Sequence, residues 1–211
     1  MTTAWAVRDK LDREDSATHR ALLDAARRVF EDRGYARATI ADITRAAGVG
    51  RATFYVYFAS REEVFAAVAR ELRDRLVAAQ DLGSIDPADP VAVARATTAA
   101  YLATYAGHLG FLTVLDHQAL ADPEIAELRD EIHALPIRRA TRWIQQLVDE
   151  GVARPASSPE LVALASTGLV AAFAARLDAN PQLHGLLADE LAALYLRLLG
   201  VGYGEPRLSG R

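Results

Sequence analysis

Most of the residues in this chain that combine reactive groups with useful spacing lie between positions 39 and 61. The segment TIADITRAAGVGRATFYVYFASR places Arg51, Thr53, Tyr55 and Tyr57 within about two helical turns. A guanidinium beside hydroxyl-bearing side chains is suited to phosphate oxygens, which take both its charge and its donors. Phe54 and Phe58, four residues apart, read as core anchors of one face. In that frame Arg51, Ala52, Thr53, Tyr55 and Tyr57 fall on or beside the outward face. Ordinary core packing accounts for Phe54 and Phe58, but it does not account for Tyr55 and Tyr57 on the opposite side.

Catalytic and metal-binding patterns are poorly represented. The chain has no Cys, which removes thiolate ligands, thiol nucleophiles and disulfides. The five His, at 19, 108, 117, 133 and 184, include no i, i+4 pair, and Asp130-x-x-His133 is the nearest approach to the Glu-x-x-His of a di-iron bundle. There is no G-x-S-x-G, Walker or G-x-G-x-x-G sequence, and Gly200, Gly202 and Gly204 follow a helix end. The expectation is a non-enzyme without cofactor or metal. A second group, Tyr101, Tyr105, His108, Phe111, His117, His133 and Trp143, is mostly aromatic with hydrogen-bonding tips, and Tyr101, Tyr105 and His108 share one helical face. It suits either a satisfied core or a pocket for a largely apolar small molecule.

The elements that position these groups are helices. Of 211 residues, 43 are Ala, 27 Leu and 23 Arg, all strong helix formers. Leu22, Ala26, Val29 and Phe30 line one face of a first helix that Gly34 is placed to stop. Thr39 and Asp42 read as the N-cap of a short helix carrying Ile40, Ile43 and Ala47, Gly48 breaks the chain, and another short helix spans about 51–57. Ser60 with Glu63 is a capping box for a fourth helix striped by Val64, Val68, Leu72 and Leu76. After the turn-rich DLGSIDPADP, the pairs Asp89-Pro90, Asp122-Pro123 and Ser158-Pro159 start three further helices, and Pro136 should kink the second of these. A last helix covers about 185–199.

The N-terminus is too charged for a signal peptide. The uncharged stretch 96–115 is long enough for a membrane span but poor in large apolar residues, and two helices broken near Gly107 and Gly110 explain it better. A cytoplasmic protein with no membrane partner is expected. The net charge of −4 hides a partition: residues 33–61 carry five Arg against Asp42, while 62–211 carry 13 basic and 20 acidic residues. One small region is therefore basic, as attraction to a polyanion requires.

Short helix, tight turn, short helix is the helix-turn-helix arrangement, whose second helix enters the major groove of DNA. The segment from Thr18 to Val68 resembles the N-terminal domain of the TetR family of transcriptional regulators. The F-x-x-x-G-Y/F pattern is met by Phe30, Gly34 and Tyr35. The next segment is met by Thr39, Ile43, Thr44, Ala47, Gly48 and Val49. The T-L/F-Y-x-x-F-x-S/N-K/R-E signature is met by Thr53, Phe54, Tyr55, Phe58, Ser60, Arg61 and Glu62. Gly50, Ala52 and Val56 depart from the common pattern.

The resemblance implies an all-α protein. An N-terminal three-helix helix-turn-helix DNA-binding domain (1–60) would be joined by a connecting helix (61–80) to a helical ligand-binding and dimerisation domain (81–204), with a flexible tail at 205–211. It implies phosphate contacts from Thr39, Thr53, Tyr55 and Arg61, and base reading by Arg51, Ala52 and Tyr57. It also implies a small-molecule effector near Tyr101, Tyr105, His108, Phe111, His117 and Trp143. Two apolar stripes, Leu161, Leu164, Ala165, Gly168, Leu169 and Ala172, then Leu191, Leu194, Tyr195 and Leu198, fit core or dimer seam equally. The resemblance favours a homodimer through them. The function so implied is a repressor released from a near-palindromic double-stranded operator by a small, largely apolar ligand. An all-helical carrier or enzyme keeping a vestigial DNA domain, or an activator of the same family, stays open at this point.

Overall fold

The computed structural model describes residues 17–201 except Leu82, Ser84 and Pro87, so the leader and the expected tail at 205–211 lie outside the described residues. Nine α-helices and a single 3-10 turn, Pro181–Leu183, occur among the described residues, with no strand. The chain packs into two compact units. One holds the described residues up to Leu72 together with Gly110–Asp130, and the other holds the described residues of Arg73–Leu109 and from Glu131 onward. Packing thus groups residues 110–130 with the N-terminal helices, a line of division that no single cut in the sequence produces.

The first unit is built on α1 (Ala17–Arg33), α2 (Ile40–Ala47), α3 (Arg51–Tyr57) and the first part of α4 (Arg61–Ala78). Leu22, Ala25, Ala26 and Phe30 are fully buried along one face of α1, and Gly34 ends the helix at φ +71°. Thr39 caps α2: its hydroxyl oxygen accepts from the Asp42 amide at 3.2 Å while its proton goes to Asp42 Oδ2 at 2.6 Å. Gly48, at φ +68°, closes α2 in the left-handed conformation glycine adopts without strain, and Val49 N–H donates to Thr44 O at 3.0 Å. At the start of α4 the Glu63 amide donates to Ser60 Oγ at 3.1 Å. Glu63 reaches back to the Ala59 amide rather than to that of Ser60, one residue beyond the usual reciprocal bond.

An aromatic cluster centres this unit. The rings of Phe30 and Phe65 meet edge to face at 4.9 Å, Tyr35 meets Phe65 at 4.8 Å, and Phe111 lies 5.0 Å from Phe65. Phe111 comes from α6 (Leu109–Ala119). The uncharged stretch that could have been a membrane span is divided between α5 (Pro90–Ala106) and α6, as Gly107 and Gly110 suggest.

In the second unit α5 packs against both α8 (Pro159–Ala179) and α9 (His184–Leu199), with part of α7 (Pro123–Asp149) alongside. Asp89 and Ser158 cap α5 and α8, each followed by Pro where the helix has no use for an N–H. Pro136 sits inside α7, which is assigned as one helix through it. Ala94, Ile144, Ala163 and Leu199 form the centre of a core completed by Leu147, Val162 and Tyr195. Gly200 stops α9 at φ +64°, and a Cβ there would collide with the Arg154 carbonyl. Gly168, by contrast, has nothing within 4 Å of where a Cβ would stand. Among the described residues, Pro159–Leu177 is long and apolar enough to cross a membrane, and most of it is not buried within the chain.

Candidate nucleic-acid interface and ligand cavity

Seven residues make up α3, and only Phe54 among them is fully enclosed; Phe58, just past the helix, is buried beside it with ring centroids 5.7 Å apart. Those two anchors fix the rotation of the helix about its axis. Arg51, Ala52, Tyr55 and Val56 are consequently exposed, and Thr53 and Tyr57 are half-buried at the margins. Arg51 Nη2 donates to the Tyr55 hydroxyl at 3.2 Å, and its guanidinium lies 5.7 Å from the Tyr55 ring centre. This contact pre-orients a long side chain at little entropic cost on binding. Tyr57 turns partly back toward His19, with ring centroids 5.9 Å apart.

Two residues expected to contact phosphate are engaged within the fold. Thr39 spends its proton on Asp42, which in turn takes Arg33 at 3.2 Å and Arg45 at 3.0 Å. The Thr39 hydrogen bond, followed by Arg33 and Arg45, holds the Asp42 carboxyl below its ordinary range. Arg61 donates to the carbonyls of Tyr35 at 3.2 Å and Ala38 at 3.3 Å, pairs with Glu62 at 3.0 Å, and stacks 4.5 Å from the Tyr35 ring centre. Its guanidinium ties the turn between α1 and α2 to the start of α4. Even so, one acid among five arginines leaves the 33–61 region a net cation.

The second unit holds a partly open cavity of about 160 Å³. Val93, Ala140, Leu169 and Leu191 give it apolar walls, and Tyr101, Trp143 and Tyr195 contribute rings. Burial pushes the phenols of Tyr101 and Tyr195 well above the usual tyrosine range, so both stay protonated as donors. Gln80 and Arg139 sit on the same wall, and sequence reasoning missed both. A polar residue just past one helix end and an Arg in another carry no signal that distinguishes a cavity wall from solvent.

Of six residues expected around a ligand, Tyr101 and Trp143 line this cavity. Tyr105 is buried next to Tyr101, with ring centroids 6.3 Å apart, but is not on the wall. His108 closes the end of α5, its Nδ1 2.8 Å from Thr104 O. Phe111 belongs instead to the aromatic core of the first unit, because α6 turns its apolar side toward Phe30 and Phe65. His117 also belongs to that unit, in a depression with Arg33, Tyr35 and Arg37.

The two expected seam stripes separate as well. On α8, Leu161 and Leu164 are more than half exposed, and Ala165, Gly168 and Ala172 are exposed beside them; Leu169 turns inward to the cavity. On α9, Leu191 and Tyr195 are buried and line the cavity, so they are core within one chain rather than an outward seam. α5 and α8 cover that face. Leu194 and Leu198 are half-buried.

Residues 22–68 match the family model described as bacterial regulatory proteins, tetR family. The HTH-type transcriptional repressor LfrR of Mycolicibacterium smegmatis is 34% identical over 132 residues, 59% of this chain and 65% of that protein. The HTH-type transcriptional repressor Rv1474c of Mycobacterium tuberculosis is 36% identical over 63 residues, 30% of this chain and 34% of that one. The chain thus spans less than two thirds of the length of these curated relatives. The crystal structure of the fatty acid degradation regulator FadR from Bacillus halodurans superposes with a TM-score of 0.73 at 18% identity, covering 93% of this chain and 99% of that one, a likeness of fold. The capped α2, the glycine turn, the outward α3 and the matching segment agree, and over residues 22–68 the chain is similar to the tetR family of bacterial regulatory proteins.

Proposed function

We propose that the protein is a dimeric, ligand-responsive transcriptional repressor of the cytoplasm. The carrying observation is the outward face of α3, where Arg51, Tyr55 and Val56 stand exposed on a net-cationic region while Phe54 and Phe58 fix the helix from behind. Residues 1–60 act as the DNA-binding head, 61–80 as the connecting helix and 81–204 as the effector and dimer domain. Arg51 and Val56 read base edges, with Ala52 and Tyr57 at the margin, and Thr53 and Tyr55 hold phosphates. Arg61 and Thr39 act mainly by holding the head in shape. Naming as repressors of both LfrR and Rv1474c favours repression over activation.

The exposed apolar face of α8, through Leu161, Leu164, Ala165, Gly168 and Ala172, pairs with its copy, with Leu194 and Leu198 of α9 at the edge. Two recognition helices then address half-sites roughly 34–36 Å apart on a near-palindromic operator. A small, largely apolar effector occupies the cavity of Tyr101 and Trp143. It releases DNA by binding more tightly to a conformation whose helix spacing no longer fits the operator, with α4 as the link.

Fluorescence anisotropy with genomic fragments selected by the protein tests this reading. Binding to one duplex sequence should exceed binding to a scrambled one at least tenfold and should fall steeply with salt. Equal affinity for both would favour a carrier of apolar molecules with a relic DNA domain, which the cavity alone could serve.

A further inference from the structure

The cavity wall offers protons that nothing in the chain accepts. Tyr101 of α5 is 6% exposed and Tyr195 of α9 8%, and neither hydroxyl has a hydrogen-bond partner among the described residues. Neither oxygen is sealed from water, in contrast to the amide oxygen of Gln80. Both side chains are otherwise buried and both line the cavity, so the cavity is the space into which their hydroxyls open. Trp143 stands beside Tyr195 with ring centroids 6.3 Å apart, and Thr98 lies one turn before Tyr101. The Trp143 indole N–H and the Thr98 hydroxyl are likewise without a partner among the described residues.

The other hydroxyls on the wall are already engaged. Thr97 Oγ1 donates to Val93 O at 2.7 Å, Ser166 Oγ to Val162 O at 2.7 Å and Thr167 Oγ1 to Leu164 O at 2.9 Å. Their idle lone pairs cost little, whereas an unpaired buried donor is expensive. Water satisfies such donors in a partly open cavity, so an occupant that displaces it must bring acceptors or lose affinity. Charge sets a second condition. Arg139 is the one charged side chain on the wall among the described residues, and its Nη1 donates to the Val77 carbonyl at 3.2 Å, at the carbonyl end of α4 where a cation is favoured. A carboxylate would surrender its hydration to walls that are otherwise apolar or neutral, against a cation already partly engaged. In size, the cavity is close to the roughly 150 Å³ that accommodates a benzene ring.

We propose that the effector is an uncharged carbonyl compound, with an apolar body of about one aromatic ring, whose carbonyl group accepts hydrogen bonds from the Tyr101 and Tyr195 hydroxyls. Ketones and esters have this chemistry; hydrocarbons of the same shape lack the acceptor, and carboxylates carry a charge that the wall does not repay. This inference rests on the reading of the cavity as the effector site.

Calorimetric titration of the full-length protein with acetophenone, ethylbenzene and benzoate tests it. Acetophenone is expected to bind about tenfold more tightly than ethylbenzene, which has the same shape but leaves the donors unpaired. In the double variant Tyr101→Phe, Tyr195→Phe that ratio should fall to about one through loss of acetophenone affinity, with ethylbenzene held as before. The melting temperature should not fall, because the hydroxyls removed have no partner within the chain; should the double variant fold poorly, the ratio must drop in at least one single variant. A wild-type ratio near one overturns the inference, as does a ratio that survives removal of both hydroxyls. Benzoate binding more tightly than acetophenone overturns it too, since Arg139 would then govern. Failure of all three compounds to bind at millimolar concentration overturns the effector-site reading itself, a result separable from the others.

Discussion

The exposed faces of α3 and α8 both show large side chains to solvent, and they differ in what stands between those side chains. On α3, Tyr55 and Val56 are about half exposed, but Arg51 lies among them and reaches the Tyr55 hydroxyl. On α8, Leu161 and Leu164 are exposed to a similar degree, with Ala165, Gly168 and Ala172 the exposed small residues alongside. A face with charge and hydroxyls keeps its hydration until a polar partner replaces it. A face without them loses free energy in water and gains it against another apolar surface. Exposure alone therefore says little about a partner; the chemistry between the exposed residues separates a polyanion from a second copy.

The comparison is broken most forcefully on α8. Leu164→Glu should convert the proposed dimer to monomer at micromolar concentration, because each buried unpaired carboxylate costs about 3–5 kcal/mol and a two-fold interface buries it twice. Sedimentation reads the outcome, while an unchanged circular dichroism spectrum shows that the chain itself still folds. An unchanged dimer would mean that this face has another use. Next in size, Phe54→Ala removes the fully buried anchor behind α3 and should destabilise the head by about 3–5 kcal/mol. Hydrogen exchange should rise in α2 and α3, with α8 and α9 protected as before.

Smaller effects sharpen the account of the polar face. Arg51→Ala should weaken specific binding by about 1–3 kcal/mol and relax preference at one operator position. Arg61→Ala should instead lower head stability with little change in the salt dependence of binding, and a loss of one phosphate's worth of salt slope would reverse these roles. The smallest effect belongs to Asp42. Its carboxyl is held below the ordinary value of 3.8, so it contributes stability above about pH 4 that is lost as pH falls through the lowered value. Asp42→Asn should melt at a lower temperature than wild type at pH 7, and the difference should close as the pH drops below 4.

Much of the head was legible because its punctuation is local. Thr39, Gly48 and Ser60 each act on backbone groups within a few residues, so the sequence pattern and the structural consequence share one short window. Phe54 and Phe58 then fix which side of α3 faces out. Elsewhere the pattern was right and the partner was not. The stripe Leu191, Leu194, Tyr195 and Leu198 is apolar at helical spacing, but which helix covers it depends on packing between residues 90–106, 159–179 and 184–199. Phe111 and His117 follow the same logic: α6 is short, and only long-range packing with Phe30 and Phe65 assigns it to the first unit. Arg61 shows the converse difficulty. A cation in a phosphate-binding motif and a cation that ties down two backbone carbonyls look identical until the turn at Tyr35 and Ala38 is in place.

The contrast between Gly200 and Gly168 bears on how mutations would be tolerated. At position 200 the left-handed backbone and the Arg154 carbonyl both demand glycine, so every substitution should be selected against, even in a protein freed from any partner. At position 168 a Cβ would meet nothing within 4 Å, so one chain leaves room for at least a methyl group there. Intolerance of even Ala at 168 would therefore come from outside the protomer. Substitution profiles gathered with and without selection for assembly would separate what the chain requires of itself from what a second copy requires of it.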